Sequence, residues 1–432
     1  MPLLQKPTLN YRKPHAYNDI VLASLTSRFP PFLLPLILIN LTGHMALSGG
    51  RVSGSLYVLK TGNPEYLVGV FMALFSAIPV LTSLAIGRWV DRVGAPRVMR
   101  LGISLVLVGA WLPVAYLSLP TLLVMAVMIG FGFNVLSVAA QHTVGHLVEN
   151  ASPSERLANF GWFALGHSAS STLGPFIAGI LIDALSFRTA FAALAFVACI
   201  AAWLVFTRTN GLPGPHADPE AEVASNEEDD VREVQQKPRV LDLLAIPEMR
   251  RIYWVNMITA SSWDLFIVML PVLGVRLGYS ASVIGTVFSL FAVGTFAARA
   301  AMPWLSQRAN EWQILRVSLA VIVCVFIALP WAAVAPMLMT LGLIFGAAVG
   351  MSQPNLLSLL HAASPAGRGG EAVGLRSVLS NSVSVVVPVA FGAVVAPLGI
   401  SALLFAGSAV FATGLPPAHR GATLRAAARS DI

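Results

Sequence analysis

The chain has 432 residues, 56% of them hydrophobic and only 11% charged, with a mean hydropathy of +0.76. A soluble protein carries about a quarter charged residues, so the composition excludes a soluble enzyme and points to an integral membrane protein. The formal charge of +7 reflects topology and does not imply nucleic-acid binding.

Residues 1–29 hold Lys6, Arg12, Lys13 and Arg28 with several prolines. The apolar run that follows is too long for a signal peptide, so this stretch is predicted to be a cytoplasmic tail. At roughly 20 apolar residues per crossing, six helices are predicted at 30–58, 65–89, 97–118, 121–149, 155–184 and 187–208, forming a first bundle over 30–208. The segment 209–247 is rich in Pro, Gly and acidic residues, including Glu227-Glu228-Asp229-Asp230, and is expected to be a mobile cytoplasmic linker. Six more helices at 249–276, 280–306, 311–332, 335–362, 368–397 and 399–416 form a second bundle over 248–417, before a cytoplasmic tail at 418–432. Lys60, Arg188 and Arg276 fall in external links and Arg51, Arg299 and Arg376 inside helices, while the other 21 of the 27 Lys and Arg are on the opposite side. Basic residues in short loops are retained in the cytoplasm. Both termini are therefore expected there, in the cell inner membrane. Cys199 and Cys324 both lie in apolar runs and suggest neither a disulfide nor a thiolate metal site.

Helix 1 carries Asn40, His44, Ser48, Arg51 and Ser55 at spacings of 4, 4, 3 and 4, which places them on one face. Lipid cannot satisfy a polar stripe. The stripe either walls a cavity or binds helices together, as Ser and Asn often do. Arg51 favours the cavity, because a lone guanidinium is expensive in hydrocarbon, although it could also snorkel to the external surface.

Between helices 2 and 3 runs Gly87-Arg88-Trp89-Val90-Asp91-Arg92-Val93-Gly94-Ala95-Pro96-Arg97. An ordinary positive-inside loop needs only the arginines. Gly87, Asp91, Arg92, Gly94 and Arg97 at this spacing resemble the helix 2–3 loop of the major facilitator superfamily. That resemblance implies an all-α membrane fold of twelve helices in two pseudo-symmetric six-helix bundles. It also implies a charged latch that breaks when the transporter changes state.

Helix 4 holds Asn134 and Gln141, both candidates for binding substrate. His142, His146 and Glu149 at its end could ligate a metal from one face, but histidines near a helix C-terminus are also favoured by its dipole. No metal or other cofactor is assigned. In helix 5, Gly161, Gly174, Pro175 and Gly179 resemble the motif of the drug and metabolite antiporters within the same superfamily, with Ser170 and Ala178 replacing two of its glycines. The resemblance favours efflux. The arginine of that family's helix 4 has Ala126 in its place, so the coupling mechanism departs from the pattern. Gly166-His167-Ser168-Ala169-Ser170 falls one residue short of a G-x-S-x-G elbow, with Ser170 in place of the last glycine, and lies in a helix, so it does not indicate a hydrolase.

The two bundles repeat one another. Lys60/Arg276, Gly62/Gly278, Gly69/Gly285 and Phe75/Phe291 align with an offset of 216, and Gly161/Gly374 and Pro175/Pro388 with an offset of 213. Many secondary transporters are built from such repeats, with the substrate between the halves. Asp264, after Asn256 and Trp263, is the one carboxylate expected near mid-membrane. Three in-helix arginines, Arg51, Arg299 and Arg376, stand against it, with Ser380 one turn beyond Arg376; either they leave a positive cavity, or Asp264 pairs with one and the others brace helices. Such a positive cavity suits a solute with an acidic group. Asp264, His44 and His167 are the candidates for proton coupling.

The sequence thus predicts a monomeric, proton-coupled exporter of a small organic solute. Import of an organic anion or metal chelate is the alternative, and a non-transporting receptor or assembly factor of the same fold is the rival from another class.

Overall fold

The computed structural model describes residues 33–147, 153–209, 240–365 and 368–430. The predicted N-terminal tail and most of the linker lie outside the described residues, as does Glu149. The helices are α1 (Leu33–Lys60), α2 (Tyr66–Val93), α3 (Ala95–Ala115), α4 (Leu119–Leu147), α5 (Pro153–Ala184), α6 (Phe187–Arg208), α7 (Pro247–Arg276), α8 (Ala281–Leu305), α9 (Glu311–Ala328), α10 (Ala335–Ala363), α11 (Gly369–Ala412) and α12 (Leu415–Ser430). Among the described residues eleven segments are long and apolar enough to cross a bilayer, and α2 adds the shorter apolar run Tyr66–Thr82. The protein is a multi-pass, all-α membrane protein.

Local chemistry sets the helix starts. Ser186 with Thr189 and Asn310 with Gln313 form reciprocal capping boxes on α6 and α9. Proline opens α3, α7 and α10, where its missing N–H costs nothing. The predicted helices at 368–397 and 399–416 follow one another without a loop as α11, two helices that meet at a kink at Gly399 (φ 77°, ψ 167°), where the sequence placed their boundary. A single residue in that conformation replaces a loop, which glycine permits. The chain also stays helical past the predicted end at 416. Gly421 of α12 packs on the Trp312 ring, where any larger side chain would clash.

The internal repeat is visible in the backbone. Gly62 and Gly278 both have positive φ (76° and 72°). Each ends its helix with the same pair of bonds, Gly62 N–H to Leu59 O and Asn63 N–H to Val58 O, matched by Gly278 to Val275 and Tyr279 to Gly274. Gly69 abuts the Pro388 carbonyl, and Gly285 abuts the Pro175 carbonyl. Gly130 meets the Phe75 backbone as Gly346 meets that of Phe291. In lipid, where burial between helices gains little, such small-residue contacts supply the packing.

The halves meet through α5 against α8 and α2 against α11. Two ends of the molecule can be named by landmarks, the Glu65 end and the Gly94 end. At the Glu65 end the joints are dense. Glu65 grips Arg276 through both carboxylate oxygens (2.6 and 2.7 Å). Asp183 of α5 accepts from the Ala281 and Ser282 backbone N–H groups at the start of α8 (3.1 and 2.7 Å). Ser282 Oγ donates to Gly179 O at 3.3 Å, and Ser289 Oγ to Thr172 O at 2.9 Å. At the Gly94 end, Gly87, Gly161 and Gly374 each face open space, with nothing within 4 Å of where a side chain would project.

Candidate functional site

A cavity of about 520 Å³ lies between the halves, from mid-bundle toward the Gly94 end. That size suits a small organic ligand. The first half contributes Asn134 from α4 and His167, Ser168 and Ser171 from α5. The second contributes Trp263 and Asp264 from α7, Arg299 from α8, Gln353 from α10, and Arg376, Ser380, Asn381 and Ser384 from α11.

The second half carries a chain of hydrogen bonds. Ser384 Oγ donates to Asp264 Oδ2 at 2.8 Å. One turn away, Asn256 Nδ2 donates to Ser380 Oγ at 2.8 Å, and Ser384 lies within 3.3 Å of Ser380 O. Arg376 Nη1 donates to Gln353 Oε1 at 3.1 Å and to Asn256 Oδ1 at 3.4 Å. Asp264 and Arg376 thus belong to one network, bridged by Asn256 and two serines. Trp263 stacks against Phe291 at 4.3 Å, bracing the aromatic wall beside Asp264.

The charge balance is uneven. Arg376 is held by two neutral amides, and its Nε has no partner. Arg299 reaches across to α5, where Nη1 donates to Ser168 Oγ at 3.3 Å. Among the described residues neither guanidinium has an ion-pair partner. Asp264, 8% exposed, is the single carboxylate in the lining. A buried charge is costly unless paired, so two uncompensated cations leave an anion's place open.

On the first half, the His44 and His167 rings lie 3.9 Å apart. Ser170 Oγ donates to His167 O at 2.7 Å and lies 2.7 Å from His44 Nδ1. The hydroxyl has one proton, already committed to the carbonyl, which leaves His44 Nδ1 as the donor. Ser48 Oγ donates to Ser170 O at 3.1 Å.

Asn134, His167, Trp263, Asp264, Arg299, Arg376 and Ser380 therefore meet at the cavity. Asn40, His44, Arg51 and Gln141 do not line it. His44 and Ser48 serve the α1–α5 contact, where Gly174 lies against Met45 O and Gly49 N. Asn40 is 1% exposed with Oδ1 unbonded, and the Arg51 guanidinium sits 5.0 Å from the Phe75 ring. Gln141 bonds Ser137 on its own helix at 2.9 Å.

Of the helix-5 motif, Gly174, Pro175 and Gly179 make close contacts while Gly161 faces open space. In the helix 2–3 turn, Gly94 has φ 88° and Arg92 and Arg97 are exposed. The side chains of Asp91 and His146 are outside the described residues. Gln353, Asn381 and the α7–α11 hydrogen bonds escaped the sequence reading. A search for polar residues spaced 3 and 4 apart on helix 11, where Ser377, Ser380, Asn381 and Ser384 cluster, finds part of them.

The family model described as "Major Facilitator Superfamily" matches residues 21–388. No curated protein matches the chain by sequence. Among solved structures, a POT family transporter in complex with a thioalcohol-conjugated peptide superposes with a TM-score of 0.71 at 13% identity, covering 89% of this chain and 94% of that one. The peptide transporter POT in complex with sulfate gives 0.70 at 16% identity, with 95% and 98% covered. A mutant of the nucleoside transporter NupG gives 0.69 at 10% identity, with 92% and 99% covered. At these identities the likeness is one of fold.

Proposed function

We infer the function from one established premise: this chain belongs to the Major Facilitator Superfamily. It is a secondary transporter and not an enzyme. We propose that it acts as a monomer in the cell inner membrane with both termini cytoplasmic, and exports a small organic solute bearing an acidic group in exchange for protons. The observation that carries this reading is that Arg299 and Arg376, with no ion-pair partner among the described residues, line a cavity that holds one carboxylate. A guanidinium offers a planar fork to a carboxylate or phosphate. That one structural relative was solved with sulfate is in keeping with an anion site.

The positive-inside rule puts the Gly94 end in the cytoplasm, so the cavity would load solute from inside, as export requires. An anion arriving at Arg376 pulls on the network through Asn256, Ser380 and Ser384 to Asp264. Asp264 then exchanges its proton with the opposite side once the halves rock about their α2–α11 and α5–α8 contacts. Import of the same class of anion is the second reading, favoured by Ala126 at the position where the antiporter resemblance calls for arginine.

Flux of labelled organic acids into proteoliposomes under a pH gradient of either sign tests both. We expect Asp264→Asn to bind solute and exchange it passively yet fail to concentrate it. Arg376→Ala should weaken binding of an anion by about tenfold more than that of a neutral analogue, the scale of a charged hydrogen bond. An Asp264→Asn protein that still accumulates solute moves the proton site to His44 or His167. Equal losses for anion and neutral analogue make Arg376 structural.

A further inference from the structure

A second basic site lies away from the central cavity, at the Gly94 end of the second bundle. The chain enters that bundle through a 3₁₀ turn, Val240–Ala245, whose Leu241 is 65% exposed, and then begins α7 at Pro247. Ile246, at the N-cap of α7, has no side chain that could cap the helix, and the first N–H groups of α7 carry the positive end of the helix dipole. On the other side α12 runs back along α9, with Gly421 on Trp312, the second residue of α9. This contact brings Arg420, Thr423 and Leu424 level with the starts of the odd-numbered helices, where hydrocarbon gives way to headgroups.

Between α7 and α12 is a cavity of about 500 Å³ lined by Pro247, Arg250, Arg251, Arg420, Thr423 and Leu424. Three guanidiniums line it and no carboxylate does, although Asp242 and Glu248 lie on the same stretch of chain. Arg251 Nε donates to Pro247 O at 3.2 Å, which holds that guanidinium at the helix start. The side chains of Arg250 and Arg420 have no ion-pair partner among the described residues. Arg316 adds a further cation nearby, donating to His419 Nδ1 at 3.1 Å. Leu424, 58% exposed, gives the lining an apolar side.

Cations converging beside a helix start call for a phosphate, and an exposed leucine in the same lining calls for an acyl chain. We propose that the groove between the start of α7 and the end of α12 binds the phosphate headgroup of an anionic membrane lipid. A free phosphate would satisfy the arginines alone and leave Leu424 unused. Basic pockets between helices at the inner face have the chemistry for such headgroups.

The test uses the full-length protein in nanodiscs of phosphatidylcholine with or without phosphatidylglycerol, with retained lipid read by native mass spectrometry. Wild type should retain phosphatidylglycerol in preference, and the preference should shrink as salt is raised. The double variant Arg250→Gln with Arg420→Gln should lose about tenfold or more of that retention. Arg208→Gln, an arginine at the same end but outside this groove, should lose none. Equal retention of the two lipids by wild type overturns the proposal, as does a loss in Arg208→Gln equal to that of the double variant. If inorganic phosphate displaces the lipid as well as phosphatidylglycerol does, the ligand is a free phosphate and the lipid assignment falls. Should the double variant fail to fold, the wild-type preference and its salt dependence decide the matter alone.

Discussion

The two ends of this molecule are built from the same repeated sequence yet behave differently. At the Glu65 end the halves touch backbone to backbone, with glycines 69 and 285 against the carbonyls of prolines 388 and 175. At the Gly94 end another pair of repeat-related glycines, 161 and 374, meets nothing. The closed end is held by contacts that fit in only one arrangement, because a close-packed joint is bistable and not elastic. The open end carries the cations and the helix 2–3 turn. One end thus depends on shape, while the other is left to charge, which acts over a longer distance.

That contrast can be broken, most severely at the closed end. Gly285→Val would drive a side chain into the Pro175 carbonyl, which cannot yield as a flexible side chain could. Overpacking of this kind costs about 3 kcal/mol, and we expect transport to fall about a hundredfold. Spin-label distances across that end, measured in a background lacking Cys199 and Cys324, should lengthen. Next in size is Asp91→Asn at the open end. If the turn latches when that end closes, removing the charge should favour the open arrangement and lower transport about tenfold with normal expression. Unchanged transport would leave the turn with a topological role only.

A smaller effect is expected from Asp183→Asn, which keeps the side-chain size but removes the charge from two bonds to the start of α8. A loss of about 1 kcal/mol would shift the balance between closed and open about fivefold, read by the same distances. Glu65→Gln is the mildest. Its partner Arg276 is 41% exposed, and ion pairs in such settings contribute about 0.2–1 kcal/mol, less in salt. A larger effect from Glu65→Gln than from Gly285→Val would reverse the assignment of the closed end to shape.

How much of this was legible in the sequence follows from what spacing can encode. Hydrophobic length and loop charge placed most helix ends within a few residues, because a bilayer fixes how many residues cross it. The joint between helices 11 and 12, placed between 397 and 399, falls where the structure bends at Gly399, since Pro397 and Gly399 mark the break even without a polar loop. The stripe of Asn40, His44, Ser48, Arg51 and Ser55 was read from spacing, which tells which residues share a face. It does not tell which neighbour that face meets, and here His44 and Ser48 meet Ser170 of α5. Asp264, Arg299 and Arg376 stood out because charge in an apolar run is conspicuous. Gln353 is uncharged and did not, and Asn256 was noted only for its place before Asp264, although the two amides are what tie Arg376 to the site.

The mirrored joint at the closed end has a consequence for how such a chain could arise. Gly69 meets Pro388 while Gly285 meets Pro175, and the two contacts are one contact with the partners exchanged. Reciprocity of that kind defines an isologous interface, in which the same patch on two identical subunits is complementary to itself. A single six-helix unit carrying both the glycine and the proline already holds everything needed to pair with its own copy about a two-fold axis. Fusing two such copies preserves the joint and frees each copy to diverge: the first now carries Asp183 and Glu65, the second Asp264, Arg299 and Arg376. What was a symmetric dimer interface becomes the hinge of a molecule whose two sides need not do the same work.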